Sequence, residues 1–358
     1  MVCGRRHDAK EKIVRAAILY APNELRLGDA PDPSASDGDL VLRVRASTIC
    51  GTDIRIWRGR KTAGVRYPSI LGHEFAGEVV EPGGHAEFSV GDRLGLCPAL
   101  PCGKCRLCQT GRENLCTEGQ AIGYQIDGSF AEYIRIPARA VAFGNVHKLP
   151  DGLDFSRAAL VEPLACVLNG QNRVRVGVGD TVLILGAGPI GLLHVKLARL
   201  RGATRIIVSE PSASRRRAAE AAGADLTIDP SAEDLTVRLM RETGGLRADV
   251  VICAIGIPAL AAQATALAAI GGRVSLFAGF SKNDMGQIDI NAIHYNELEI
   301  HGAFGLSRAD YANALSMIAN GLIETASMIT HSYPLEEADR AFVTAEAGDA
   351  IKVAVLND

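Results

Sequence analysis

Four cysteines, Cys102, Cys105, Cys108 and Cys116, fall in the run PCGKCRLCQTGRENLC. Thiolates this close along the chain can close a tetrahedral shell with no open position, the chemistry of a structural zinc. An iron–sulfur site is the competing reading, because C-x2-C-x2-C also opens the ferredoxin run. That run continues with x3 and Cys-Pro, whereas here the gap is x7 and Thr117 follows Cys116. Cys97 lies outside the rhythm and reads as a buried thiol. A second set of possible ligands is dispersed over Cys50-Gly51-Thr52-Asp53, Gly72-His73-Glu74 and Glu162-Pro163-Leu164-Ala165. Taken singly, each also fits a packed core residue, and composition alone does not bring the three segments together.

A third constellation is Gly186-Ala187-Gly188-Pro189-Ile190-Gly191, a G-x-G-x-x-G turn. Gly186 permits the tight turn, Gly188 lets the backbone approach a pyrophosphate, and Gly191 permits close helix–strand packing. The free N–H groups of the following helix then face the phosphates. Glu210 follows Gly191 by 19 residues. A carboxylate there accepts both ribose hydroxyls and repels a 2′-phosphate, which favours NAD over NADP. Arg215, Arg216 and Arg217 complicate that preference, since a guanidinium can hold a 2′-phosphate; they also fit an exposed helix face.

The elements that must position these groups divide the chain in two. Up to about residue 150 the runs are short and β-like, as in LVLRVRAS (40–47), FAGEVVEPG (75–83) and SFAEYIRIP (129–137), bounded by Gly, Pro and Asp. They suggest a barrel or sandwich. Residues 155–172 have helical spacing and predict a connecting helix. From TVLILG (181–186) onward, six strand-like runs alternate with helical ones, which predicts a doubly wound parallel sheet. After about 303, a helix over 308–320 and two short segments return to the first domain. The expected division is 13–155 with 304–358, 156–303 between them, and a metal loop at 97–117.

The 358 residues exceed one typical core. Lys plus Arg (38) nearly balances Asp plus Glu (41), so no field attracts nucleic acid. No apolar run reaches membrane-spanning length, and the polar start MVCGRRHDAKEKIVRA lacks a secretory h-region. Cytoplasm is therefore the expected location, and the first dozen residues read as a poorly ordered tail.

CGTD, GHEFAGEVV, VGDRL, the four-cysteine loop, DGSFAEY, VEPLAC, GAGPIG and PLEEADRAF together resemble the zinc-containing medium-chain dehydrogenase/reductase family, in its polyol (sorbitol or iditol) and threonine dehydrogenase branch. The resemblance implies an α/β fold, with a GroES-like β-rich catalytic domain built from both chain ends and a Rossmann domain between. It implies a catalytic zinc at Cys50, His73 and Glu162, with Glu74 as direct ligand or exchanging with water, Asp53 orienting the histidine, and a structural zinc in the cysteine loop. Thr52 matches the hydroxyl of a proton relay. Ile190, Glu210 and Arg215 match dinucleotide contacts, while Phe277, Ala278, Gly279, Ala303 and Phe304 fall where strand ends line the nicotinamide. Trp57 and Phe304 are candidate pocket walls. The family's relay commonly continues in a histidine three residues past the hydroxyl. Here Arg55 stands there and cannot shuttle a proton as imidazole does, so it either leaves the relay to water or ribose, or binds substrate. The implied reaction is oxidation of a secondary alcohol on a polyol, sugar or amino-alcohol, with hydride passing to NAD. The partner is then a small-molecule alcohol, the assembly a homo-oligomer (a tetramer is favoured), and no nucleic acid or membrane is involved. A threonine 3-dehydrogenase-like enzyme and a non-catalytic dinucleotide sensor are the alternatives.

Overall fold

The computed structural model describes residues 13–36, 38–280 and 286–357. The expectation of a disordered tail over the first dozen residues lies outside them. Two large sheets carry the molecule. One is a six-stranded, wholly parallel sheet in the spatial order Leu226–Ile228, Arg205–Ser209, Thr181–Leu185, Ala248–Cys253, Ala268–Leu276, Glu299–Gly302. In chain order this is 3-2-1-4-5-6, the doubly wound arrangement that opens a ligand crevice at the carboxyl ends of its central strands. Thr181–Leu185 and Ala248–Cys253 read as unbroken apolar runs because helices cover both faces, and nearly every residue in them is buried.

The other sheet has seven strands. Val146–Lys148, Arg93–Leu96, Glu74–Glu81, Leu40–Thr48, Lys352–Leu356 and Ile329–Pro334 follow one another, and Tyr133–Ile136 also pairs with Leu40–Thr48. The last strand of the chain thus lies against its third, Leu40–Thr48, with Ala354 opposite Thr48. Smaller sheets join Ile13–Ala21, Glu24–Pro31 and Ser69–Ile70, and Ala99–Leu100 with Gln120–Ala121 at the base of the cysteine loop. The chain is a mixed α/β protein with a GroES-like β-rich part and a Rossmann sheet, as the motifs imply. Among the described residues, no helix is long and apolar enough to cross a membrane.

The expected connecting helix is two helices, Phe155–Ala159 and Val161–Arg173, parted at Leu160. Asp154 caps the first by accepting the N–H groups of Ser156 and Arg157. Pro163 has no N–H to continue that ladder, so it is tolerated only within the first turn of a new helix. The break sets Glu162 at the start of a helix that runs through the centre of the molecule. Val161, Leu164, Ala165 and Leu168 join one apolar cluster with Ala76 of the seven-stranded sheet and Cys97 just past its strand Arg93–Leu96, Val182 and Ile184 of the parallel sheet, and Tyr311 and Ala314 of helix Arg308–Ala319.

Candidate active site

Cys50 ends the turn after strand Leu40–Thr48 and caps helix Gly51–Trp57. Its Sγ accepts the Thr52 N–H at 3.4 Å, and Asp53 Oδ2 accepts the Cys50 N–H at 2.9 Å, a reciprocal capping box. Asp53 is fully buried, and its Oδ1 lies 3.4 Å from His73 Nδ1. A carboxylate behind one ring nitrogen turns the other toward a metal. The chain reaches His73 through Gly72 at φ +99°, where a Cβ would press on Ser129 and Phe130, so no larger residue serves there.

The donor atoms of Cys50, His73 and Glu74 all lie within 4.8 Å of one another. The resemblance implies Glu74 as a direct ligand or one that exchanges with water, and strand register fixes what its carboxylate touches. Thr48 lies directly opposite Glu74, and Lys352–Leu356 borders Thr48 on the other side. The Glu74 carboxylate therefore accepts from the Thr48 hydroxyl and pairs with the buried Lys352 Nζ at 2.5 Å. Glu162 is buried beside the trio, with Cys166 Sγ donating to its Oε1 at 3.6 Å. Burial pushes its carboxyl up to about 7 and Glu74 adds to this, while His73 and Lys352 act the other way.

Thr52 is half-buried on the first turn of the helix that Cys50 caps. Arg55 points across to the parallel-sheet side and donates to the carbonyls of Gly279 (3.4 Å) and Phe280 (3.1 Å). Trp57 is core rather than pocket wall: it is buried and meets Phe342 edge-on at 5.7 Å.

On the sheet side, Gly186 takes φ +100°, and a Cβ on Gly191 would strike the Gly186 carbonyl oxygen. A Cβ on Gly188 would meet nothing within 4 Å. Open space beside that backbone, ahead of helix Pro189–Leu200, suits a pyrophosphate. Ile190 is half-buried and packs against the central cluster. Glu210 ends the neighbouring strand with Oε2 on the Ala187 N–H (2.8 Å) and Oε1 on the Ser212 N–H (3.0 Å), so it ties the turn to the next helix. Arg215 is turned away to the Gly348 carbonyl at 2.7 Å, and Arg216 binds the Glu210 and Pro211 carbonyls and Asp229.

Phe277 packs its ring on His194 at 4.7 Å, while the Ala278 and Ala303 N–H groups bond to Cys253 and Leu276. Phe304 is 72% exposed, and Asn114 and Asn169 both donate to its carbonyl.

Residues 36–151 match the family described as Alcohol dehydrogenase GroES-like domain, and residues 189–320 match the family described as Zinc-binding dehydrogenase. The L-threonine 3-dehydrogenase of Thermococcus kodakarensis is 36% identical over 97% of this chain and 97% of its own. The sorbitol dehydrogenase of Halalkalibacterium halodurans is 34% identical over 91% and 93%. The chain belongs to the zinc-containing medium-chain dehydrogenase/reductase family. A solved zinc-binding dehydrogenase of this family from Sinorhizobium meliloti, bound to NADP, superposes with a TM-score of 0.91 at 35% identity, covering 97% of this chain and all of the other. The present dehydrogenase is accordingly an alcohol-oxidising enzyme that uses zinc and a nicotinamide cofactor.

In this dehydrogenase the cysteine loop gathers all four sulfurs within 4.8 Å. The separations of 3.4 and 3.9 Å bracket the roughly 3.8 Å edge of a tetrahedron with bonds of about 2.3 Å to zinc. The four are free thiols, not disulfides. Two backbone N–H groups bring the Cys102 thiol down to about 7. Several groups of the site escaped the sequence reading. Thr48, Lys352, Tyr124 and Lys61 surround the trio without belonging to a recognisable spacing, and Cys166 lies in VEPLAC but drew no attention of its own. Lys352 alone left a signal, as a charge inside the apolar run IKVAVL.

Proposed function

We propose that the enzyme oxidises a secondary hydroxyl on a polyol, sugar or amino-alcohol and passes the hydride to NAD. The observation that carries this is the convergence of Cys50, His73 and Glu74 from separate segments, with Asp53 fixed behind the imidazole. These three would hold the catalytic zinc, with Glu162 placed to enter the shell, and Cys102, Cys105, Cys108 and Cys116 would hold a second, structural ion. Bound zinc supplies Lewis acidity to the substrate hydroxyl and the nicotinamide accepts the hydride.

The chain's own groups do the rest. Thr52 accepts the hydroxyl proton at its Oγ1 and passes it outward. Arg55 takes no part in that relay, since its guanidinium stays charged and is occupied by two carbonyls. Those bonds draw the two sides of the cleft together, which helps to exclude water. Glu210 presents its remaining lone pairs toward a ribose and disfavours a 2′-phosphate, so NAD is preferred to NADP. A homotetramer in the cytoplasm fits this reading. Threonine is the second candidate substrate, carried by the 36% identical relative.

Metal analysis combined with NAD reduction across polyols, sugars, inositols and threonine tests the proposal. About two zinc ions per chain and turnover of at least one alcohol are expected. Cys50→Ser should retain the fold, keep about one zinc and lose turnover. Full activity in metal-free protein would sink the mechanism, and a sensor without chemistry would turn over none of these alcohols.

A further inference from the structure

Lys61 follows helix Gly51–Trp57, and the N–H groups of Arg60 and Lys61 both donate to the Arg55 carbonyl, at 2.8 and 3.1 Å. This folds the lysine back against the helix that carries Cys50 and Thr52. Its Nζ lies 4.8 Å from the centroid of the Tyr124 ring, and that same ring stands 5.1 Å from the His73 imidazole. One aromatic ring is therefore shared by a half-buried ammonium and the imidazole of the ligating trio.

The ammonium has a ring beneath it, but among the described residues it makes no hydrogen bond or ion pair. The carboxylates of the ligand cluster are committed elsewhere, Asp53 to Cys50 and His73, and Glu74 to Thr48 and Lys352. Arg55 adds a second cation to the same corner. Burial and then Arg55 push the Lys61 ammonium below its ordinary range, with Cys50 acting the other way. A half-buried cation with no hydrogen-bonded counter-ion is partly desolvated at a cost, and an anionic group of a ligand would offset that cost.

Building on the alcohol-dehydrogenase reading, we propose that the substrate is an anionic secondary alcohol, a hydroxy acid or a polyol phosphate, whose charged end docks on Lys61 while its carbinol lies against Cys50, His73 and Glu74. Tyr124 forms the wall between the two ends. Arg55 strengthens the positive field at the docking end without leaving its carbonyl partners.

Three six-carbon probes of matched chain test this: sorbitol, gluconate and glucitol 6-phosphate. Each is titrated calorimetrically into zinc-loaded enzyme carrying reduced cofactor, so that binding is read without turnover. At least one anion should bind roughly tenfold or more tightly than sorbitol, and which of the two does so separates carboxylate from phosphate. Lys61→Gln should bring the ratio close to one, and Lys61→Arg should restore it; zinc content and melting temperature show that each variant is folded. Sorbitol binding as tightly as both anions, or an anion preference that survives Lys61→Gln, overturns the inference. An enzyme that oxidises neutral alcohols and ignores charge defeats this inference alone. A zinc-loaded enzyme that oxidises no alcohol defeats the underlying reading instead.

Discussion

The buried pair of Lys352 and Glu74 shows how much a single side chain organises here. Lys352 is 4% exposed in a strand that is otherwise apolar, and its partner is a member of the ligating trio. Attraction between such charges is offset by their desolvation, so the pair itself adds little net stability. Removing one partner is different, because it strands the other charge. Lys352→Met should cost about 3–5 kcal/mol in denaturant unfolding, and adding Glu74→Gln should recover most of that. An unchanged midpoint for Lys352→Met would show that the pair does not organise the site. At this scale the sequence was partly legible. Cys50, His73, Glu74 and Glu162 were singled out through motif resemblance, but the pairing of Glu74 with Lys352 depended on which strand lies beside Thr48.

Among the elements, the cysteine loop is the most self-contained. Its ligands lie close in sequence, so their spacing alone pointed to one tetrahedral set. Glu113 within the loop accepts three hydrogen bonds from the Arg308 guanidinium and one from the Arg308 N–H, which fastens the loop to the start of helix Arg308–Ala319. Cys105→Ser should lower zinc from about two ions to one per chain and reduce the melting temperature. Unaltered zinc content and melting would mean that the loop is not a metal site. The strands of the parallel sheet were equally legible, since burial on both faces demands continuous apolar runs. The break at Leu160 was not, because helical spacing continues across it and only Pro163 marks the restart.

On the scale of the whole molecule, the two sheets are joined through a shared core and clasped by Arg55 on Gly279 and Phe280 and by Arg215 on Gly348. His194 sits in this junction, fully buried, with Gln171 donating to its carbonyl and Phe277 against its ring. Burial, and secondarily Arg201, hold the imidazole down to about 3. Unfolded histidine titrates near 6.5. Below that pH the unfolded chain binds the extra proton, so this residue makes stability fall between about 6.5 and 3 and leaves it level above. One proton corresponds to about 1.4 kcal/mol per pH unit. His194→Gln should make the stability–pH curve shallower by about that slope between pH 6 and 4. Parallel curves for the two proteins would refute a buried neutral imidazole.

By itself the amino-acid order determined the two sheets, the dinucleotide turn and the four-cysteine cluster, because each depends on periodicity or on neighbours a few residues apart. Tertiary structure alone decided that Glu74 meets Lys352, that Arg215 and Arg55 reach for carbonyls across the cleft, and that Lys61 ends beside Tyr124. Those contacts link segments tens to hundreds of residues apart. Their partners are chosen by strand register and domain packing, which no local spacing records.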